Sequence, residues 1–316
     1  MTSRSSGTNL SDALHPEVSA SDGWHCQQTL RGHRNWVRSI AISPDGNCLA
    51  SGSGDKQVGL WRLPQGDCLS FLTGHEGWIR CVVFSPDGRW LASAANDNSI
   101  RIWDVRSRSL VTVLSGHTDW VRAVIFSPDG QYLFSGGQDK TIRVWQLSSG
   151  RCVKTITGHQ HWVRSLAISP DGSTLVSGGQ DQKVRIHRLR RQGTNHVLAG
   201  HATEINSLAT SPNNWLLATA GADGLVSFWK LNSGRCITTF KAHSAAVDSI
   251  TFSPDGQLLA TASSDKTVRI WHIDSGRLVS ILGDHSGWVW SVVFAPDNRT
   301  VISGDWNGEI KVWARS

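Results

Sequence analysis

His33, His75, His117, His159, His201, His243 and His285 recur every 42 residues along the chain. Eighteen residues after each stands a hydroxyl: Ser51, Ser93, Ser135, Ser177, Thr219, Thr261 and Ser303. Four further on is an acid, Asp55, Asp97, Asp139, Asp181, Asp223 and Asp265, replaced by Asn307 in the last copy. Six beyond that is an indole, Trp61, Trp103, Trp145, Trp229, Trp271 and Trp313, with His187 in the fourth copy. Serine, histidine and aspartate are the parts of a hydrolytic triad, in which a base activates the hydroxyl and an acid orients the base.

The repetition argues against that chemistry. A triad occurs once, in a cleft, with an exposed nucleophile and an oxyanion hole. Here the set recurs in nearly every copy, tied to an indole. Trp Nε1–H, the hydroxyl, the imidazole and the carboxylate make an ordered donor–acceptor chain that satisfies its own polar groups when partly buried. No polar constellation stands in one copy only, and there is no glycine-rich phosphate loop. No catalytic residue and no enzyme activity are expected. The six cysteines contain no CxxC pair. Cys26, Cys68, Cys152 and Cys236 fall at one repeat position, too far apart in neighbouring sheets to bridge. Cys48 and Cys81 read as small buried apolar residues. Neither a metal nor a cofactor is expected.

Each copy divides into four short strands, in the first about 36–42, 47–52, 57–62 and 67–72. Ser43-Pro44-Asp45-Gly46 closes the first hairpin. It recurs from Ser85, Ser127, Ser169 and Ser253, and loosens to Ser211-Pro212-Asn213-Asn214 and Ala295-Pro296-Asp297-Asn298. A tight turn at Asp55-Lys56 leads into a strand of alternating apolar and polar residues. Short strands at even spacing imply a radial all-β array, in which stacking seven sheets about an axis covers their faces. The last copy stops after its third strand, while residues 25–30 precede the first copy as an orphan that aligns with 67–72 after a shift of 42. The N-terminal strand is therefore expected to complete the C-terminal sheet and close the ring. Residues 1–23, rich in Ser, Thr and Gly, read as a flexible tail before a single repeat domain over 24–316.

The pattern Gly-His, then Ser-Pro-Asp-Gly, then Ser-x-x-x-Asp-Lys-x-x-x-x-Trp resembles the WD-repeat β-propellers over about 24–316. The Trp-Asp pair that names the family survives at Trp103-Asp104 alone. The resemblance implies a closed seven-bladed β-propeller of four-stranded antiparallel blades. It also implies that His33, Ser51, Asp55 and Trp61, with the matching sets in copies two, three, five and six, form structural tetrads. Copies four and seven should hold weaker locks, because of His187 and Asn307. Loss of the indole costs roughly 1–3 kcal/mol unless neighbours repack.

In this family partners dock on the top face around the channel. The resemblance places three positions of each blade there: three and five residues after the histidine, and the residue before the turn acid. Alternation puts the first two on one side of their strand. The first series is Trp36, Trp78, Trp120, Trp162, Glu204, Ala246 and Trp288. The second is Arg38, Arg80, Arg122, Arg164, Asn206, Asp248 and Trp290. The third is Gly54, Asn96, Gln138, Gln180, Ala222, Ser264 and Trp306. Blades 1–4 thus present an arc of Trp and Arg, blades 5 and 6 interrupt it, and blade 7 adds tryptophans. Exposed Trp and Arg suit a docking surface; the same residues stacked on one another would instead make a stiffening lattice. Glu76, Asp119, Glu204 and Asp248 are placed to neutralise part of the arginine charge. A second basic run, Lys183 to Arg191, reads as solvated charge on the opposite face, with an acidic-partner or nucleic-acid patch as the alternative.

The net charge of +6 and pI near 9.2 favour an anionic partner weakly. No apolar run approaches the roughly 18 residues of a membrane span, and the N-terminus lacks a signal-peptide pattern. The reading is a monomeric, cytoplasmic, non-catalytic interaction scaffold that binds a protein or acidic peptide. A binder of nucleic acid or another polyanion through the arginine arc is the alternative.

Overall fold

The computed structural model describes residues 23–189, 196–199 and 201–316. The expected flexible tail lies, but for Gly23, outside the described residues. Every regular element is a strand, and the strands group into seven separate four-stranded antiparallel sheets. Blade 1 is made of Val37–Ile42, Cys48–Ser53, Val58–Arg62 and Cys68–Leu72. The alternation and turn signals place these strands to within a residue or so. Gly46, closing the first hairpin, has a left-handed φ of 76° that most side chains would oppose; Asn214 and Asn298 take that conformation in blades 5 and 7.

Six sheets are built from four consecutive strands. The seventh takes three from the C-terminus, Val289–Phe294, Thr300–Asp305 and Ile310–Arg315, and its outer strand from the N-terminus, Trp24–Leu30. Cys26 stands opposite Trp313 just as Cys68 stands opposite Trp61, so the orphan strand docks in the register its alignment implies. Beyond the strand, Ser316 N donates to Gly23 O at 2.9 Å. The innermost strand of each blade lies beside that of the next, and that of blade 7 lies beside that of blade 1. The ring is closed.

The core lies between blades. The strand-three indole faces the preceding blade: Trp61 packs with Ile302, Ile310 and Val312 of blade 7. Small residues let the sheets approach. A Cβ on Gly52 would meet Ile79 of blade 2 at 2.6 Å. A series of serines that the sequence reading did not single out bolts the innermost strands together. Ser39 Oγ accepts from Val82 N at 3.1 Å, and Ser165, Ser207, Ser249 and Ser291 make the same bond to Leu208, Ile250, Val292 and Ile40. Blades 2 and 3 have Cys81 and Ala123 at that position.

The candidate functional site

The tetrads form one by one. In blade 1, His33 Nδ1 meets Asp55 Oδ2 at 2.8 Å and its Nε2 meets Ser51 Oγ at 2.7 Å, while Trp61 Nε1 donates to Ser51 at 2.8 Å. His75, Ser93, Asp97 and Trp103 repeat the arrangement, as do His117, Ser135, Asp139 and Trp145. In blade 5 the set is His201, Thr219, Asp223 and Trp229, and in blade 6 His243, Thr261, Asp265 and Trp271. Each hydroxyl is buried, sandwiched between imidazole and indole. None is an exposed nucleophile. Burial alone would raise the carboxyl of Asp139, but the hydrogen bond and charge of His117 outweigh it and hold the group at about 2.

Two copies depart from the pattern, blade 7 against expectation and blade 4 only in part. In blade 7, Asn307 does not take the place of the missing acid. Asp305, two residues earlier, turns its carboxylate to His285 Nδ1 at 3.0 Å, and the pair is wholly buried. It also accepts from the backbone N–H groups of Asn307 and Glu309, both at 2.9 Å. The weaker lock expected for blade 7 is therefore corrected: the set is complete, with the acid moved to the position occupied by Ser53 in blade 1. In blade 4 the lock is also kept, because His187 Nε2 reaches Ser177 Oγ at 2.9 Å. What blade 4 loses is apolar volume. Among the described residues His187 Nδ1 is buried without a partner, and burial pushes the imidazole pKa down to about 4.

The rim positions lie together. Trp36 packs on Trp78 at 5.6 Å and on Trp290 at 5.4 Å between ring centroids. Trp78 meets Trp120 at 6.4 Å, while Trp290 meets Trp306 at 4.9 Å and Trp288 at 6.4 Å. Trp36, Trp120 and Trp288 thus belong to one face. The physical device is a β-bulge, which the sequence reading missed. Every innermost strand shifts register between its first and third residues, so Arg38, Arg80, Arg122, Arg164, Asn206, Asp248 and Trp290 are each the bulged residue. A bulge re-aims its side chain, and simple alternation does not describe these positions.

The rim is both lattice and surface. Trp36 is only 7% exposed, laid flat against Gly54, where a Cβ would meet the ring at 2.4 Å. Arg80 sits 5.3–5.5 Å from the rings of Trp36, Trp78 and Trp120, and Arg122 lies over Trp120 and Trp162. Trp78, Trp288 and Trp306 remain 43–47% exposed. Of the arginines, Arg38 donates to Trp290 O at 2.9 Å, and Arg164 pairs with Glu204 at 3.1 Å and Asn206 at 2.8 Å. Arg80 donates Nε to Asn96 Oδ1 at 2.8 Å, and Arg122 donates Nε, at 2.9 Å, and Nη2 to the Gln138 amide oxygen. Among the described residues no carboxylate forms an ion pair with either. The neutralising role expected of Glu76 and Asp119 is not seen there: Asp119 accepts from Trp120 N, and the Glu76 backbone donates to Asp97. Burial, then the neighbouring arginines, push Arg80 down to about 10 and Arg122 to about 9. Across the mouth Asp248 is raised by burial and accepts from Ser264 at 2.6 Å.

On the opposite face, part of the basic run is used internally. Arg188 clips blade 4 to blade 5 through Leu231 O and Asn232 O, at 3.1 and 2.7 Å. Arg190 and Arg191 lie outside the described residues. Among the described residues no group of His, Cys, Asp and Glu could hold a metal ion.

Seven closed blades with repeated His–Ser/Thr–Asp–Trp locks define a class, and the chain belongs to the WD-repeat β-propeller family. The family model for the WDR3 first beta-propeller domain matches residues 21–189, more than half of the chain. The WD domain, G-beta repeat matches 234–272 and 276–314, and the anaphase-promoting complex subunit 4 WD40 domain matches 169–251. Individual relatives are similar over about one repeat. A Lissencephaly-1 homolog of Caenorhabditis briggsae is 54% identical over 41 residues, 13% of this chain and 10% of its own. The pre-mRNA-splicing factor prp46 of Emericella nidulans is 40% identical over 43 residues, 14% of this chain and 10% of its own. A ribosome biogenesis protein BOP1 homolog of Drosophila virilis is 50% identical over 39 residues, 12% of this chain and 5% of its own. The matches span a tenth or less of the length of these relatives. The expectation of a cytoplasmic protein is corrected by them. It rested on residue patterns alone, whereas a splicing factor and a ribosome biogenesis factor work in the nucleus and nucleolus. No helix of the described residues is long and apolar enough to cross a membrane.

Proposed function

We propose that the chain is a non-catalytic scaffold that docks a partner protein or peptide on its Trp/Arg rim, within a protein or protein–RNA assembly. One observation carries the reading: Trp78, Trp288 and Trp306 stand nearly half exposed on a bed of buried and half-buried rings, beside Arg80 and Arg122, which have no carboxylate partner among the described residues. Rigid aromatic anchors next to a desolvated cation are the composition of binding hot spots. The relatives named for splicing and ribosome biogenesis support membership of an assembly. The hydroxyls of the tetrads are each held between two rings, which favours a non-catalytic role.

The test is co-purification of partners from cells with the wild-type chain and with Arg80→Glu/Arg122→Glu. The charge reversal should abolish partner recovery while the thermal melting curve keeps its cooperativity. Trp288→Ala, on the solvent side of the lattice, should weaken recovery at least tenfold. Recovery unchanged in both variants would overturn the rim assignment. A polyanion as partner would show itself by binding that falls steeply and linearly in log–log with salt.

A further inference from the structure

Resting on that reading of the rim, we infer that the partner segment is dipolar. It carries a carboxylate side chain seated between Arg80 and Arg122 and a basic side chain over Glu204 and Asp248, with apolar residues between them against Trp78 and Trp288. All four arginines of the arc donate to the protein, but among the described residues Arg80 keeps both Nη atoms without an acceptor and Arg122 keeps Nη1, its Nε and Nη2 lying on the Gln138 amide oxygen. Arg38 gives Nη1 to a backbone carbonyl, and Arg164 gives Nη1 to Glu204 Oε1 and Asn206. Arg80 and Arg122 share the Trp120 ring, with its centroid 5.5 and 5.8 Å from their guanidinium carbons. Arg80 binds Asn96 through Nε, and among the described residues nothing accepts from its Nη atoms. A guanidinium with its stem walled by indoles and its fork unfilled matches a carboxylate, which takes two parallel N–H bonds.

Across the mouth the sign reverses. Glu204 and Asp248 occupy the third and fifth positions of blades 5 and 6, where blades 1–4 have Trp and Arg. Both groups act electrostatically on Arg164, to which Glu204 gives Oε1, and Glu204 acts also on Arg122, so the two poles belong to one mouth. A uniformly anionic chain would meet repulsion on that side. Trp36, packed edge-on with Trp78 and Trp290 at 77° and only 7% exposed, offers no open face to a base. A peptide with an acid at one end and a base at the other satisfies both poles, and it can lie across the mouth in one orientation only.

The probe is a random dodecapeptide library displayed on phage, panned on the full chain. The enriched peptides should carry Asp or Glu separated by apolar residues from Lys or Arg. A synthetic copy of the consensus should lose at least tenfold in affinity on Arg122→Gln, and the same on Gln replacement of its own acid. The two changes together should cost little more than either alone. Glu204→Gln should weaken the same peptide by several-fold, and replacing the peptide's base should remove that sensitivity. Peptides lost on Trp288→Ala but indifferent to Arg122→Gln would overturn the dipolar assignment and leave the docking surface standing. Recovery of no peptide sensitive to Trp288→Ala would overturn both. A single-stranded uridine oligonucleotide that competes with the consensus peptide in an Arg122-dependent manner would replace the dipolar segment with a polyanion.

Discussion

Blades 4 and 7 each lose one member of the recurring set, and the losses have different consequences. In blade 7 a carboxylate two residues away takes over, with hydrogen-bond lengths ordinary for the tetrads. In blade 4 an imidazole keeps the bond of the missing indole but not its bulk, and one ring nitrogen is left buried and unpaired among the described residues. A hydrogen-bond acceptor is a point that several backbone positions can deliver. An indole is a volume, and a smaller ring cannot restore the contacts that the volume made. Polar roles in a repeat can therefore move along the chain, whereas packing roles cannot.

The largest test of this contrast concerns blade 7 as a whole, since it alone is assembled from both ends of the chain. Deleting residues 24–30 removes Trp24 and Leu30 from the core, about 3–6 kcal/mol from these side chains alone, and opens the ring. The melting temperature should fall by roughly 10 °C. An unchanged melting curve would contradict closure by the N-terminal strand.

Next in size is the displaced acid. Asp305→Ala would orphan His285 Nδ1 and two backbone N–H groups inside a buried site, a cost of about 3 kcal/mol. Asn307→Ala removes an exposed bond to Ser286 and should cost about 0.5 kcal/mol or less. Equal losses in urea denaturation would mean that the acid has not moved.

A smaller effect than that of Asp305→Ala is expected at neutral pH in blade 4. His187→Trp should stabilise the fold by roughly 1–2 kcal/mol through restored apolar burial. The difference should grow in acid. The imidazole titrates near 6.5 when unfolded and at about 4 when folded, so between these values the unfolded chain binds the extra proton. Stability therefore falls as pH drops through that window, by about 3 kcal/mol in full. Groups common to both proteins cancel in the comparison. Denaturation midpoints of the two chains at pH 7, 5.5 and 4.5 should diverge steadily; parallel curves would place His187 outside the buried site.

Much of the architecture was legible in the residues because the repeat is strict. A two-residue period bounded by Ser-Pro-Asp-Gly marks strands such as 36–42, which the structure draws as Val37–Ile42. Donors and acceptors at fixed spacings mark the tetrads. Asp305 escaped because it falls off the repeat position, and only the folded turn brings it to His285. The serines from Ser39 to Ser291 carried a signal in their regular spacing, but their partners lie on another blade. The bulge at Arg38 and its equivalents left no mark, since alternation assumes an unbroken ladder.

Sequence alone determined the number of blades, their strands and the closing register, because these depend on local periodicity and on copies pairing like with like. Tertiary structure decided how the rim arginines are partnered. That depends on Trp290 O reaching Arg38 and Glu204 reaching Arg164, contacts between residues far apart in the chain that exist only once the ring has closed.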